Sequence, residues 1–273
     1  MLTPEQKTFY ADNGYVVIRG LLTPEEAAMY RDETHTMMER IAQYRSNDAT
    51  WASAKGMTEK KTVLQHCHDG QFQTAAFARL LTDERLTGVA ADIIGGDGNV
   101  QLHHCKSFVK PPEKGSPFPL HQDAPFFPHD HHSMIAAILF FDDAPIEKGC
   151  VCVVPGSHKQ GMLPHLSEGS YHLDPAEYPL DRAIPLPAKA GDAVFFSYLT
   201  IHGSGVNESS EARTTMLVQM RDPLDPPSVR THESKGQGMM LRGFDPSCGN
   251  TKPSSEAHGD AAPMGMGMGM GKM

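Results

Sequence analysis

The apolar positions fall into two regimes along the 273-residue chain. Up to Gly95-Gly96 they carry helical spacing between clear start signals. Thr3-Pro4-Glu5 and Thr23-Pro24-Glu25 each set an N-cap threonine before a proline at the first helical position and an acid in the first turn. The second signal predicts a helix from Pro24 to about Gln43, and Tyr15-Val16-Val17-Ile18 between the two starts reads as a short strand. A third helix is predicted from near Phe72 to Gly95-Gly96, with Phe77, Leu80, Leu81, Val89 and Ile93 on an irregular apolar face.

From about Val100 the punctuation changes. The β-leaning runs Leu102–Val109, Ile135–Phe141, Val151–Val154, Ala193–Phe196 and Thr214–Met220 alternate with Pro and Gly turns, and long helical patterns stop. The expectation is one α+β domain over residues 1–244. It has a helical layer at about 1–98, an all-β barrel or sandwich at about 99–222 and a capping segment at about 223–244. Residues 245–273 are rich in Ser, Gly, Pro and Met, and Met264–Met273 alternates Met with Gly. Such a run cannot pack a core and reads as a flexible tail rather than a metal site.

Composition narrows the classes. Hydrophobic residues at 39% and charged residues at 21% suit a globular chain, and no run is long and apolar enough for a membrane span. The net charge of −9 argues against a nucleic-acid surface. Five cysteines without a CxxC pair read as reduced thiols, and Met1–Thr8 is not a leader-like segment, so cytoplasm is the expected compartment. A small-molecule partner and a monomer or homodimer are expected.

Chemistry concentrates in the β region. Prolines at 117, 119, 125 and 128 keep the chain around His121-Gln122-Asp123 extended. Residues i and i+2 of an extended chain share a face, so His121 and Asp123 project together and Gln122 projects oppositely. An imidazole and a carboxylate on one face are two members of the 2-His-1-carboxylate triad that holds non-haem Fe(II). A third ligand has to come from elsewhere. His202 follows the strand Ala193–Phe196 and opens His202-Gly203-Ser204-Gly205, while Arg213 opens the next β run. A buried arginine among apolar strands calls for an anion, because an unpaired buried charge costs roughly 3–5 kcal/mol, and a surface arginine at a hairpin end is the alternative.

Together these stretches resemble the phytanoyl-CoA hydroxylase family of Fe(II)/2-oxoglutarate dioxygenases, which includes ectoine hydroxylase. The resemblance runs from about Val100 to Met220. It rests on Lys110-Pro111-Pro112, Pro119-Leu120-His121-Gln122-Asp123, Pro155-Gly156-Ser157-His158-Lys159, Gly191–Phe196, and Ile201-His202-Gly203-Ser204-Gly205 with Arg213. It implies a double-stranded β-helix (jelly-roll barrel), Fe(II) bound by His121, Asp123 and His202, and 2-oxoglutarate and O2 as cosubstrates. The distal carboxylate of 2-oxoglutarate would meet Arg213 and the Ser204 hydroxyl, a planar fork matching a carboxylate. The family also contacts 2-oxoglutarate from the positions of Gln122 and Lys106, and from a lysine near Lys60 or Lys61.

The chain departs from the family where ungapped counting lands on Leu139 in place of a tryptophan of the phytanoyl-CoA enzyme. Asp123 stands where related halogenases carry a small residue, which favours hydroxylation over chlorination. Desaturation, epimerisation and cyclisation remain open outcomes on such a centre, and a zinc-type hydrolase or a non-catalytic metal-binding barrel are the rival classes. His129-Asp130-His131-His132 reads as a solvated loop rather than a metal cluster, His66 and His68 as loop residues with pocket lining their one further role, and Phe126 and Phe127 as either pocket lining or packing. Arg221, Arg230 and Arg242 read as solvated, with steering of an anionic substrate such as an acyl-CoA or phosphonate as the alternative.

Overall fold

Both threonine signals open helices in the computed structural model, which describes residues 1–49, 57–58, 61–168, 170–229, 231 and 233–247. α1 (Pro4–Asn13) and α2 (Pro24–Ala42) carry complete capping boxes, with Gln6 and Glu26 closing them on Thr3 and Thr23. β1 (Tyr15–Ile18) lies between them. The predicted third helix is two: α3 (Ala75–Leu81) and α4 (Glu84–Ile94), preceded by a 3-10 turn at Gly70–Phe72. The break has a local cause. Asp83 takes the extended conformation of an N-cap and accepts from the Arg85 amide, starting a new helix where apolar spacing alone suggested continuity.

β2 (Asp48–Ala49) and β3 (Leu64–His68) precede those helices, so His66 and His68 sit on a strand, not a loop. The rest is β: β4 (Val100–Lys110), β5 (Phe118–His121), β6 (Ile135–Phe140), β7 (Val151–Val153), β8 (Ile184–Leu186), β9 (Ala193–Ser197), β10 (His202–Ser204), β11 (Arg213–Arg221) and β12 (Met240–Arg242). Two antiparallel sheets result. The larger runs β1-β9-β6-β11-β4-β3-β2, with β12 added beside β4, and the smaller runs β5-β10-β7-β8. This is the double-stranded β-helix, behind a helical layer on one face.

Alternation along the strands sorts the side chains. Odd positions of β4 and even positions of β11, such as Cys105, Val109, Met216 and Val218, join Met37, Met38, Phe77, Leu80 and Leu86 in the core beneath the helices. Inward positions of the same sheet, among them Ala136, Phe140, Val194 and Phe196, meet Val151 and Val153 of the smaller sheet in a second core. At roughly 25 cal/mol per Å2 of apolar area removed from water, these two cores supply the main drive for folding. Phe195 belongs to the helix-facing core and Phe196 to the barrel interior. Leu139 also faces the helices, and its neighbour Ile138 points inward. Ungapped counting therefore missed the pocket wall by one residue, which on a strand reverses the face.

The capping segment is tied down by Asp225. Its carboxylate accepts from the His131 and Ser133 amides and the Ser133 hydroxyl at 2.7–2.8 Å. Arg221 is half-buried and donates to the carbonyls of Asp222, Pro223 and Asp225, so it braces this segment instead of facing solvent. Arg242 is exposed, while Arg230 and the Met/Gly run lie outside the described residues. No described helix is long and apolar enough to cross a membrane.

Candidate active site

The smaller sheet sets two histidines against each other. His121 ends β5, His202 opens β10, and they are direct partners in the register, with ring centroids 4.2 Å apart. Gly203 permits this approach, because a Cβ there would meet the Phe118 carbonyl oxygen at 2.6 Å. Each Nδ1 faces the carbonyl two residues back, Pro119 at 2.7 Å and Thr200 at 3.0 Å. With Nδ1–H donating there, Nε2 of each ring keeps its lone pair for a metal.

After β5 the chain enters a 3-10 turn at Ala124–Phe126, and the Asp123 amide donates to the Tyr198 carbonyl at 2.9 Å. That turn brings the carboxylate alongside the rings. Its Oδ2 accepts from Gln219 Nε2 at 2.7 Å, and its Oδ1 lies 3.8 Å from Nε2 of both histidines. One donor atom from each of His121, Asp123 and His202 lies within 4.8 Å of the other two, and all three residues are buried.

Burial governs their protonation. It holds His121 down to about 3, with His202 adding to the effect, and His202 down to about 4. It lifts Asp123 to about 6, against the pull of His121 and the Gln219 hydrogen bond. The group is thus two neutral imidazoles and a poorly solvated carboxylate, not an ion pair. A divalent cation supplies the missing counter-charge, and two nitrogens with one oxygen match the facial triad of non-haem iron. The residues fit the metal.

A second pole lies where β11 begins. Arg213 is 4% exposed and donates to the Gly149 carbonyl, while its Nε has no partner among the described residues. Burial lowers it to about 10, and no carboxylate pairs with it among the described residues. Beside it, fully buried Lys110 donates to Ser204 Oγ at 2.7 Å and the Gly205 carbonyl at 2.6 Å. Desolvation, reinforced by the Arg213 charge, pushes Lys110 well below its ordinary value. Arg213 and Ser204 line the same cavity as the three donors, a space of about 200 Å3.

Lys106, Phe126 and Phe127 also line it, together with His68 and His104. Gln122 does not. Its amide nitrogen donates to the Gly161 and Leu199 carbonyls at 2.9 and 2.6 Å, and its oxygen accepts from the Leu163 amide at 2.8 Å. These bonds tie the Gln122 side chain to backbone groups beside the cavity, the opposite projection from His121 and Asp123 that an extended chain requires. Lys61 is exposed and off the cavity, and Lys60 lies outside the described residues. His129 is 1% exposed and packs its ring 5.5 Å from His103, so only Asp130, His131 and His132 of that loop are solvated.

Lys110 and Gln219 were not singled out from sequence. Both were within reach of it: Lys110 heads the Lys-Pro-Pro stretch, and Gln219 shares the inward face of the β11 run with Arg213.

The phytanoyl-CoA dioxygenase (PhyH) family model matches residues 10–215. The peroxisomal phytanoyl-CoA dioxygenase of Bos taurus is 30% identical over 241 residues, covering 81% of this chain and 69% of that protein. A probable alpha-ketoglutarate-dependent hypophosphite dioxygenase of Stutzerimonas stutzeri is 26% identical over 227 residues, 78% of this chain and 77% of that one. Among solved structures, the non-heme alpha ketoglutarate dependent carbocyclase SnoK from nogalamycin biosynthesis superposes with a TM-score of 0.69. It is 22% identical over 89% of this chain and 94% of that one, a likeness of fold. The chain belongs to the phytanoyl-CoA dioxygenase family of Fe(II)- and 2-oxoglutarate-dependent oxygenases.

Proposed function

We propose that the chain oxidises an unactivated C–H bond of a small metabolite or acyl derivative, with hydroxylation as the outcome, while 2-oxoglutarate is converted to succinate and CO2. The observation that carries this reading is the pairing of two unmet demands in one cavity. Three metal donors converge at one point, and a buried guanidinium without a carboxylate partner among the described residues lies at another. In this reading His121, Asp123 and His202 hold Fe(II), and Arg213 and Ser204 take the distal carboxylate of 2-oxoglutarate.

Bound iron supplies the activation of O2 and the oxidising power. The chain supplies order. Gln219 holds one Asp123 oxygen, so a single oxygen is left to face the metal position. Lys110 donates to the Ser204 oxygen, which leaves the hydroxyl proton for an incoming carboxylate. Gly149 fixes one arm of Arg213 and leaves Nε–H to donate. Phe196, its ring 4.4 Å from that of His202, keeps water from one side of the donors.

A zinc-type hydrolase would use the same three donors and leave Arg213 without a role, and a barrel that only binds metal would need no diacid grip. Anaerobic titration separates the readings. Fe(II) with 2-oxoglutarate should give a weak visible charge-transfer band, and air should then release succinate. A protein that binds Fe(II) yet gives no band with 2-oxoglutarate contradicts the proposal.

A further inference from the structure

Charge counted over the described residues of the cavity leaves one cation over. In the reading just given, the two charges of ferrous iron are met by Asp123 and the metal-bound carboxylate of the diacid, and the far carboxylate is met by Arg213. Lys110 is turned onto Ser204 and Gly205. Among the described residues, Lys106 is the remaining lysine or arginine that lines the space. Its ammonium stands 5.0 Å from the centroid of the Phe108 ring, and no acceptor takes a hydrogen bond from it among the described residues. Desolvation alone draws it down to about 8, with no neighbouring acid to oppose the shift.

Register fixes how far Lys106 lies from the diacid's anchor. Lys110 faces Arg213, Phe108 faces Thr215, Lys106 faces Leu217 and His104 faces Gln219. Lys106 is therefore on the order of 13 Å along the strand from the level of Arg213, and only about 7 Å from that of Gln219, which holds Asp123. The rings of Phe108 and Phe118, edge to face at 5.7 Å, stand between it and Lys110, whose ammonium lies 5.2 Å from the Phe118 centroid. On its other side β3 sets His68 directly opposite, and His68 and His104 line the same stretch of cavity. The His104 ring is held in place through its Nδ1, 2.8 Å from His103 Nδ1, and an ammonium beside it is a donor suited to an oxyanion.

We propose that Lys106, flanked by His68 and His104, recognises an anionic group on the molecule to be oxidised. That substrate is a small amphiphilic acid, a carboxylate or phosphonate, whose carbon skeleton lies against Phe126 and Phe127. This moves Lys106 from the cosubstrate contact implied by the family resemblance to the prime substrate, and it rests on the iron and 2-oxoglutarate reading above. The volume agrees: about 200 Å3 is below the roughly 300–1,000 Å3 of pockets for drug-sized ligands, and the diacid takes part of it.

Calorimetry on the full chain loaded with Ni(II) and 2-oxoglutarate tests this without turnover. The probes are butyrate, propylphosphonate and the neutral butyramide. At least one acid should bind wild type saturably and at least tenfold tighter than the amide, the scale of one charge-assisted hydrogen bond. Lys106→Gln should weaken that acid at least tenfold more than it weakens 2-oxoglutarate, and Lys106→Arg should restore most of the difference. Acid and amide binding alike, no saturable binding of either acid, or a Lys106→Gln loss of 2-oxoglutarate as large as that of Arg213→Met would each overturn the inference. The wild-type comparison of acid with amide stands even if a variant fails to fold. Failure of wild type to take up Ni(II) and 2-oxoglutarate at all would instead remove the underlying reading, and this one with it.

Discussion

The larger sheet is built on strands of up to 11 residues with helices over its outer face, whereas the strands of the smaller sheet run to only 3 or 4 residues. Helix-facing side chains of β4, β6 and β11 hold the first in place, and irregular segments bearing Leu163, Leu173 and Tyr178 cover the second. The labour divides along the same line. Two metal donors sit on the short strands and the third just beyond one of them, while Arg213 and Lys106 sit on the long ones. A short strand has few ladder bonds, so its donors need side-chain bracing, and Gln122 and Gln219 provide it.

Removing a donor from the short-stranded side should have the largest effect. Asp123→Ala is expected to abolish succinate formation and stoichiometric Fe(II) uptake, measured by product assay and metal analysis, with the helical circular dichroism unchanged. Retained turnover would place the carboxylate ligand elsewhere. On the long-stranded side Arg213→Met should leave the metal in place and weaken 2-oxoglutarate about 10- to 150-fold, the equivalent of about 1.5–3 kcal/mol for a charge-assisted bond. Equal loss of Fe(II) and 2-oxoglutarate in that variant would break the division between the sheets.

Bracing makes a smaller and different prediction. Gln122→Leu leaves the Leu163 amide and the Gly161 and Leu199 carbonyls without their partner. Unfolding by urea should show a loss of about 1–3 kcal/mol. The folded fraction should keep the 2-oxoglutarate affinity of wild type, and a selective loss of that affinity would return Gln122 to the cosubstrate site.

The smallest effect is one of slope. His66, on the long-stranded side, is drawn from 6.5 to about 4 by burial and then by the charges of Lys106 and Arg45. The unfolded chain thus binds this proton more tightly than the folded one. Its contribution is intact above about pH 6.5 and declines as the pH falls toward 4. His66→Gln should flatten the dependence of Tm on pH between 7 and 4, and an unchanged slope would show that the ring stays solvated.

Legibility followed the same division. β4, β6, β9 and β11 were marked by apolar runs because each is buried on both faces. β8 and β10 carried too few residues for a pattern, and β3 reads Leu-Gln-His-Cys-His, where inward imidazoles mask the alternation. The metal donors were legible through local chemistry: His-x-Asp in a proline-fixed stretch, and His-Gly-Ser after a strand. Lys110 and Gln219 escaped because neither is a ligand by type. Their importance comes from register, which sets Lys110 against Arg213, and from the packing of the two sheets, which brings Gln219 of β11 to the carboxylate that follows β5. The helix break at Asp83 is made by a side-chain cap, which the apolar spacing on either side does not register.

Gly149 has a reach beyond its own turn. Its backbone sits at φ 63°, and a methyl group on it would press within 2.3 Å of the Gly205 carbonyl oxygen. The same residue's carbonyl is the rest against which Arg213 is aimed. Any attempt to retool this enzyme for a shorter or longer keto diacid is therefore better begun at Thr215 or Phe108, side chains on the cavity wall. A change at the glycine would swing the guanidinium and crowd the strand that carries His202 in a single stroke.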